Sequence, residues 1–365
     1  YQSASAFVQY VAVERGVAWA SEVLRSSLLT RDGSKRFVAA LPAEKAYWEL
    51  VGEFEPLLAQ AYWECMNVTA IEREGREQAV DLFLKRGCVS QAIALLWFML
   101  HDGPEPTPER VVEALGCLIG ASDQVGGRGL SNMVADLLSW LERVEPPPPE
   151  LAMLEFQYFD YLPNHEPSNA LYEYLGSNFV EFARLVSSVF MVDSNENSEE
   201  IQRVYKQRCF RVLFHWRRLP GLRADGSVDG VYLAHWVDGA RQLLRADEGE
   251  HNYDGQIGEV LASSPDGNDG MWPAEAVRDL IESLRKPQLE RGLFRGRLNR
   301  RGVTFRGAYE GGAQETALAA RYRAQACEMD ARWPRTAALL RGLAEEYEKE
   351  ADRQNAEAEQ LGDQD

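Results

Sequence analysis

Apolar residues spaced by three and four, in one segment after another, constrain this chain more than any other feature. Between Arg73 and Arg86 the positions Ala79, Val80, Leu82, Phe83 and Leu84 crowd one side of a helix. Gly87 is placed to stop that helix, and Ala92, Ile93, Leu95, Leu96 and Met99 begin the pattern again. Helical periodicity interrupted by a single glycine describes an αα-hairpin. The pattern resumes after Thr107 as cap and Pro108 at the first helical position, in Val111, Leu115 and Leu118. It returns in Val134, Leu137, Leu138 and Leu141, in Leu233, Trp236, Val237, Ala240, Leu243 and Leu244, and in Ala276, Val277, Leu280, Ile281 and Leu284. The last helix opens at Trp333-Pro334 and steps through Ala337, Leu340, Ala344, Tyr347 and Ala351. Strand-type alternation is confined to Gly302–Tyr309, where it supports a short β-hairpin arm near 302–309. The expected fold is therefore all-α, an irregular α-solenoid of stacked helical hairpins.

At 365 residues the chain exceeds the size at which one core stops growing. Four prolines, Pro146–Pro149, cannot continue a helix, because each lacks the N–H and fixes φ. They set the expected boundary: a helical-hairpin array over 1–145, a linker at 146–150 and a second array over 151–290. A basic, glycine-containing loop at 291–312 and a C-terminal helical hairpin with an acidic, fraying tail over 313–365 complete the division. Repetition is limited to echoes. Ala46-Tyr47-Trp48-Glu49 recurs as Ala61-Tyr62-Trp63-Glu64, and a His-Trp pair stands at His215-Trp216 and His235-Trp236.

The five cysteines, Cys65, Cys88, Cys117, Cys209 and Cys327, are odd in number, far apart and set in mostly apolar contexts, which reads as buried thiols in a reducing, cytoplasmic compartment. No run of 18 apolar residues exists to cross a membrane. The chain opens on Tyr1 without a visible signal peptide, which suggests a fragment of a longer polypeptide. A net charge of -18 argues against whole-surface attraction to nucleic acid or anionic lipid, so any phosphate contact is local.

Catalytic constellations are not legible. The histidines lack the two-His spacing of a zinc protease, and no Cys-x-x-Cys occurs. Asp266-Gly267-Asn268-Asp269-Gly270 has calcium-loop chemistry, but Gly270 stands at the fifth position and Val277 at the twelfth, so it reads as a solvated turn. Phosphate-binding glycine loops and nucleophile elbows are missing. No cofactor or metal is expected.

One stretch departs from the acidic background. Arg285, Lys286, Arg291, Arg295, Arg297, Arg300, Arg301 and Arg306 face a single acid, Glu290, with Phe294 and Phe305 interleaved and Gly292, Gly296, Gly302 and Gly307 loosening the backbone. Three readings stay open: internal pairing with acidic helix faces such as Glu345, Glu346 and Glu350; a protein-docking surface; or a phosphate or single-strand contact built from arginine forks and aromatics. On the last two readings the binding residues are Arg291, Arg295, Arg297, Arg300, Arg301, Arg306, Phe294 and Phe305.

The final third also carries a resemblance. Arg291-Gly292-Leu293, Asn299-Arg300-Arg301-Gly302-Val303-Thr304, Gly311-Gly312-Ala313-Gln314-Glu315, Leu318-Ala319, Tyr322, Trp333-Pro334-Arg335-Thr336-Ala337, Leu343-Ala344 and Tyr347-Glu348 together resemble the C-terminal helical region of large bacterial multidomain proteins, some of the anti-phage defence type. The resemblance implies a scaffold or sensor array following an upstream effector module. It assigns no catalytic residue. The functional expectation is a non-enzymatic interaction module that engages a protein partner or other domains of the same chain. The competing one is a nucleic-acid-binding or nucleic-acid-sensing module using 285–306.

Overall fold

A computed structural model describes residues 2–119, 128–162, 169–190, 199–246, 253–301 and 311–362. The regular structure of these residues is all-helical. No strand occurs among them, and β-type pairing is limited to an isolated antiparallel bridge between Leu222 and Val228. The hairpin arm expected near 302–309 lies outside the described residues.

Two compact units divide the chain, Tyr1–Ala170 and Leu171–Asp365. The first unit holds α1 (Gln2–Arg25), α2 (Arg31–Ala39), α3 (Lys45–Gly52), α4 (Pro56–Cys65), α5 (Arg76–Lys85), α6 (Val89–Asp102), α7 (Pro108–Ile119), α8 (Arg128–Leu141) and α9 (Leu151–Tyr158). Helix α6 packs on α5, α7 and α8. Its residues Val89, Ala92, Ile93, Leu95, Leu96 and Met99 are all buried, as an almost wholly apolar helix requires. The hairpin expected on either side of Gly87 is present, with that glycine at φ 71°. The tetrapeptide echo also has a structural meaning. Tyr47 and Tyr62 donate their hydroxyls to the carbonyls of Ala12 (2.7 Å) and Pro42 (2.6 Å), and the rings of Trp48 and Trp63 meet at 5.7 Å in the core.

The division falls at Ala170/Leu171, not at the proline run. Helix α8 already ends at Leu141, and after the prolines α9 turns back onto α7 and α8, burying Leu151, Leu154 and Tyr158 in the first core. The Tyr158 hydroxyl donates to the carbonyl of Leu115 at 2.6 Å. A proline run stops a helix; it does not decide which core receives the next apolar face.

The second unit contains nearly all of α10 (Asn169–Ser177), then α11 (Phe179–Phe190), α12 (Glu199–His215), α13 (Gly230–Ala246), α14 (Tyr253–Leu261), α15 (Glu275–Leu284), α16 (Pro287–Asn299), α17 (Ala313–Met329) and α18 (Pro334–Gly362). Phe182 packs against both Trp216 (5.5 Å) and Trp236 (4.8 Å), so the His-Trp pairs converge through their tryptophans. Helices α17 and α18 form the expected terminal hairpin, with Tyr322 and Tyr347 stacked at 5.8 Å.

Two expectations change here. The basic loop assigned to 291–312 is helical through Asn299, because its glycines serve close approach rather than looseness. A methyl added at Gly292 would lie 1.9 Å from the carbonyl oxygen of Gly255, and one at Gly258 would lie 2.1 Å from that of Leu289. Helices α14 and α16 therefore touch backbone to backbone, which only residues without a side chain allow. The acidic segment after Glu350 does not fray there but continues α18 to Gly362.

The thiols differ as well. All five cysteines are free, but only Cys88 and Cys209 are buried. Cys117 falls between the inward positions Val111, Ala114, Leu115 and Leu118 of α7 and points outward, so an apolar neighbourhood in sequence does not imply burial. No helix among the described residues is long and apolar enough to cross a membrane.

Candidate functional site: a groove between two proline-started helices

The basic stretch separates into arginines consumed inside the second unit and one that is not. Arg295 Nε donates to Glu259 Oε1 at 2.6 Å on α14. Arg297 Nε donates to the Tyr322 hydroxyl at 2.9 Å, with its guanidinium 4.5 Å from the centre of the Trp272 ring. Arg300 donates to the carbonyls of Gly296 (3.1 Å) and Trp216 (2.9 Å) and to Ser263 Oγ (2.9 Å). Arg301 pairs with the buried Glu315 and lies 5.3 Å from the centre of the Tyr347 ring. Arg285 donates to the carbonyl of Glu282 at 3.1 Å. Phe305 and Arg306 lie outside the described residues.

Internal pairing is thus real, but its acids are Glu259 and Glu315. Of the three acids expected to serve, Glu346 takes Lys349 (3.4 Å) and Glu350 takes Arg353 (2.7 Å). The helix explains the exchange. Arg295 projects from α16 itself, whereas Arg301 lies beyond its last residue, Asn299, so the two meet different neighbours.

Arg291 and Lys286 are the cations of this stretch, among the described residues, that carry no hydrogen bond or ion pair. Arg291 is exposed and lines an open groove of ≈ 580 Å³ between the first turns of α16 and α18. Phe294, Ala338, Leu339 and Gly342 make its apolar floor, and Pro287 and Pro334 close one end. Glu290 Oε1 accepts from Arg335 Nε at 2.7 Å, and this hydrogen bond holds the Arg335 guanidinium above its usual range. One turn further along α16 and two along α18, the Phe294 ring lies over Gly342, where an added methyl would meet it at 3.4 Å. Both contacts occur in the same order along both helices, which therefore run side by side in the same direction.

Both helix starts are locked by their sequences. Pro287 and Pro334 occupy positions where a missing N–H costs nothing. The amides of Arg335 and Thr336 are capped from α15 by Glu282 Oε1, at 2.9 and 3.0 Å. Sequence reasoning found Arg291 and Phe294 but missed Arg335, Leu339 and Gly342. These sit about 45 residues away, and no linear spacing connects them to α16.

Chemically the groove offers an apolar floor, an unpaired guanidinium on the α16 rim and a neutralised pair, Glu290 with Arg335, that bridges the two walls. Among the described residues no group of three His, Cys, Asp or Glu is placed to hold a metal ion. No family model, curated protein or solved structure matches the chain.

Proposed function

We propose that this chain is a non-enzymatic protein-interaction module that stacks helical hairpins as an irregular α-solenoid and docks an apolar segment carrying an acidic residue in the α16–α18 groove. The observation that carries this reading is Arg291, exposed and unpaired beside the half-buried Phe294, in a stretch where the other described arginines are engaged. A guanidinium beside an apolar trough suits a carboxylate flanked by a bulky side chain. The likeness of the final third to bacterial defence proteins is the ground for placing the module, as scaffold or sensor, in a larger cytoplasmic protein of that kind.

The test needs no known partner. Peptides selected from a displayed random library by the wild-type chain should combine an acidic residue with a neighbouring aromatic or leucine, and Arg291→Glu should abolish or invert the acidic preference. Selection unaffected by Arg291→Glu, or no selection, removes the groove as a docking site. The nucleic-acid reading is weaker, because gripping phosphates would require breaking the contacts of Arg295, Arg297, Arg300 and Arg301. It would regain ground if short oligonucleotides bound with a steep salt dependence.

A further inference from the structure

Along the outer face of α18, Ala338, Gly342, Glu345, Lys349, Asp352 and Ala356 step by four and three, the spacing with which one helix lays a seam against another. Gly342 is half-buried and the other five are exposed, whereas Ala337, Leu340, Ala344 and Tyr347 on the other side are buried. The seam begins inside the α16–α18 groove, because Ala338 and Gly342 belong to both. Glu345 and Asp352 carry no ion pair among the described residues, and Lys349 meets Glu346 at 3.4 Å in a pair 73% and 50% exposed. A pair so exposed holds neither side chain firmly.

The order of charges selects how a second helix can lie on this seam. Against a parallel copy of itself, the seam opposes Glu345 to Glu345 and Lys349 to Lys349. Turned antiparallel, with Glu345 opposite Lys349 of the second copy, it pairs unlike charges twice, because a two-fold axis repeats each contact. The same register sets Ala338 opposite Ala356 of the second copy, and facing small residues let two helices approach closely. It also brings Asp352 and Glu359 of the second copy level with Gly342 and Arg335. Arg291 lies between those two levels, since Glu290 meets Arg335 and Phe294 meets Gly342, so the unpaired guanidinium gains a carboxylate on either side. The acid-rich C-terminal end of one α18 then rests at the N-terminal ends of α16 and α18 in the other, as helix dipoles favour. Two chains of net charge -18 repel as wholes, and association depends on this local alternation of sign.

We infer that the occupant of the α16–α18 groove is α18 of a second copy of this chain, laid antiparallel about a two-fold axis with Glu345 opposite Lys349. The inference rests on the docking reading above and names its partner. Each copy fills the groove of the other, so the assembly closes at two.

Sedimentation equilibrium of the full chain between about 1 and 200 μM tests it. A reversible monomer–dimer equilibrium is expected, with no larger species. Glu345→Lys turns both central contacts repulsive and should weaken dimerisation about tenfold or more, and Arg291→Glu should do the same. Adding Lys349→Glu to Glu345→Lys restores the pairs in the opposite sense and should return the constant to within about threefold of the wild type. All three side chains are exposed, and unchanged helical circular dichroism confirms that each variant folds. A monomer at every concentration, assembly beyond two, dimerisation indifferent to Arg291→Glu, or a double variant as weak as the single one overturns the inference. If the chain stays monomeric while library peptides still select through Arg291, this inference falls and the docking reading stands.

Discussion

Arg278 is fully buried and grips Asp269 from nine residues away, with Nη1 2.5 Å from Oδ2 and Nη2 2.8 Å from Oδ1. Its Nε donates to the carbonyl of Pro273 at 2.5 Å, it also donates to the carbonyl of Met271, and its plane lies 4.8 Å from the centre of the Trp333 ring. The segment that reads as a solvated turn is in fact tied at both ends, since Asp266 also takes Arg321 at 3.0 Å. This clamp fixes the start of α15, whose Glu282 in turn caps α18 at the groove.

Asp269→Asn should cost about 3 kcal/mol of unfolding free energy in urea, because it leaves a buried guanidinium without its countercharge. The hydrogen bonds from Arg278 hold the Asp269 carboxyl below its ordinary value of 3.8. A depressed carboxylate contributes stability that is present in full above pH 4 and is lost as pH falls through the lowered value. Between pH 5 and pH 2 the wild type should therefore lose more stability than Asp269→Asn does. Parallel acid titrations of the two proteins would contradict this.

The α14–α16 seam makes an opposite pair of expectations for glycine. Gly292→Ala pushes a methyl into the Gly255 carbonyl and should destabilise by about 3 kcal/mol or more. Gly116→Ala, on the exposed side of α7 with no atom within 4 Å of the new methyl, should stabilise by about 0.5–1 kcal/mol. Urea midpoints with unchanged slopes decide both.

Arginine truncation should separate surface pairs from internal ones. Arg295 is 58% exposed in its pair with Glu259, so Arg295→Ala should shift stability by no more than about 1 kcal/mol. Arg301→Ala should cost about 3 kcal/mol, because Glu315 is fully buried. Equal effects would refute the distinction.

Thiol labelling in native buffer should modify Cys65, Cys117 and Cys327 quickly and leave Cys88 and Cys209 until unfolding. Burial pushes the Cys209 thiol up to about 11 and also raises that of Cys88, withholding the reactive thiolate. Peptide mapping after brief alkylation reads the result, and early label on Cys209 would contradict it.

The helices were legible because periodicity is local. Ala337, Leu340, Ala344 and Tyr347 mark the buried face of α18 by their spacing alone. The meaning of Gly255, Gly258, Gly292 and Gly296 was not legible in the same way. A glycine reads as a breaker in one dimension, and it becomes a contact surface only when a second helix arrives. The Tyr-Trp echo was visible but mute, since nothing local says that Trp48 and Trp63 meet. For the candidate site, Arg291 and Phe294 stood out by charge and aromaticity. Their sorting from Arg295, Arg297, Arg300 and Arg301 depended on Glu259, Tyr322, Trp216 and Glu315, partners that tertiary packing supplies from 14 to 84 residues away.

The glycine seam also bears on how the groove behaves. Main chain resting on main chain has no rotamers to exchange, so the α16 backbone is braced like a strut whether or not anything occupies the trough. Adaptation to different occupants must then come from side chains, Arg291 and Phe294 on the braced helix and Leu339 beside Gly342 on α18, and not from a shift of the α16 axis.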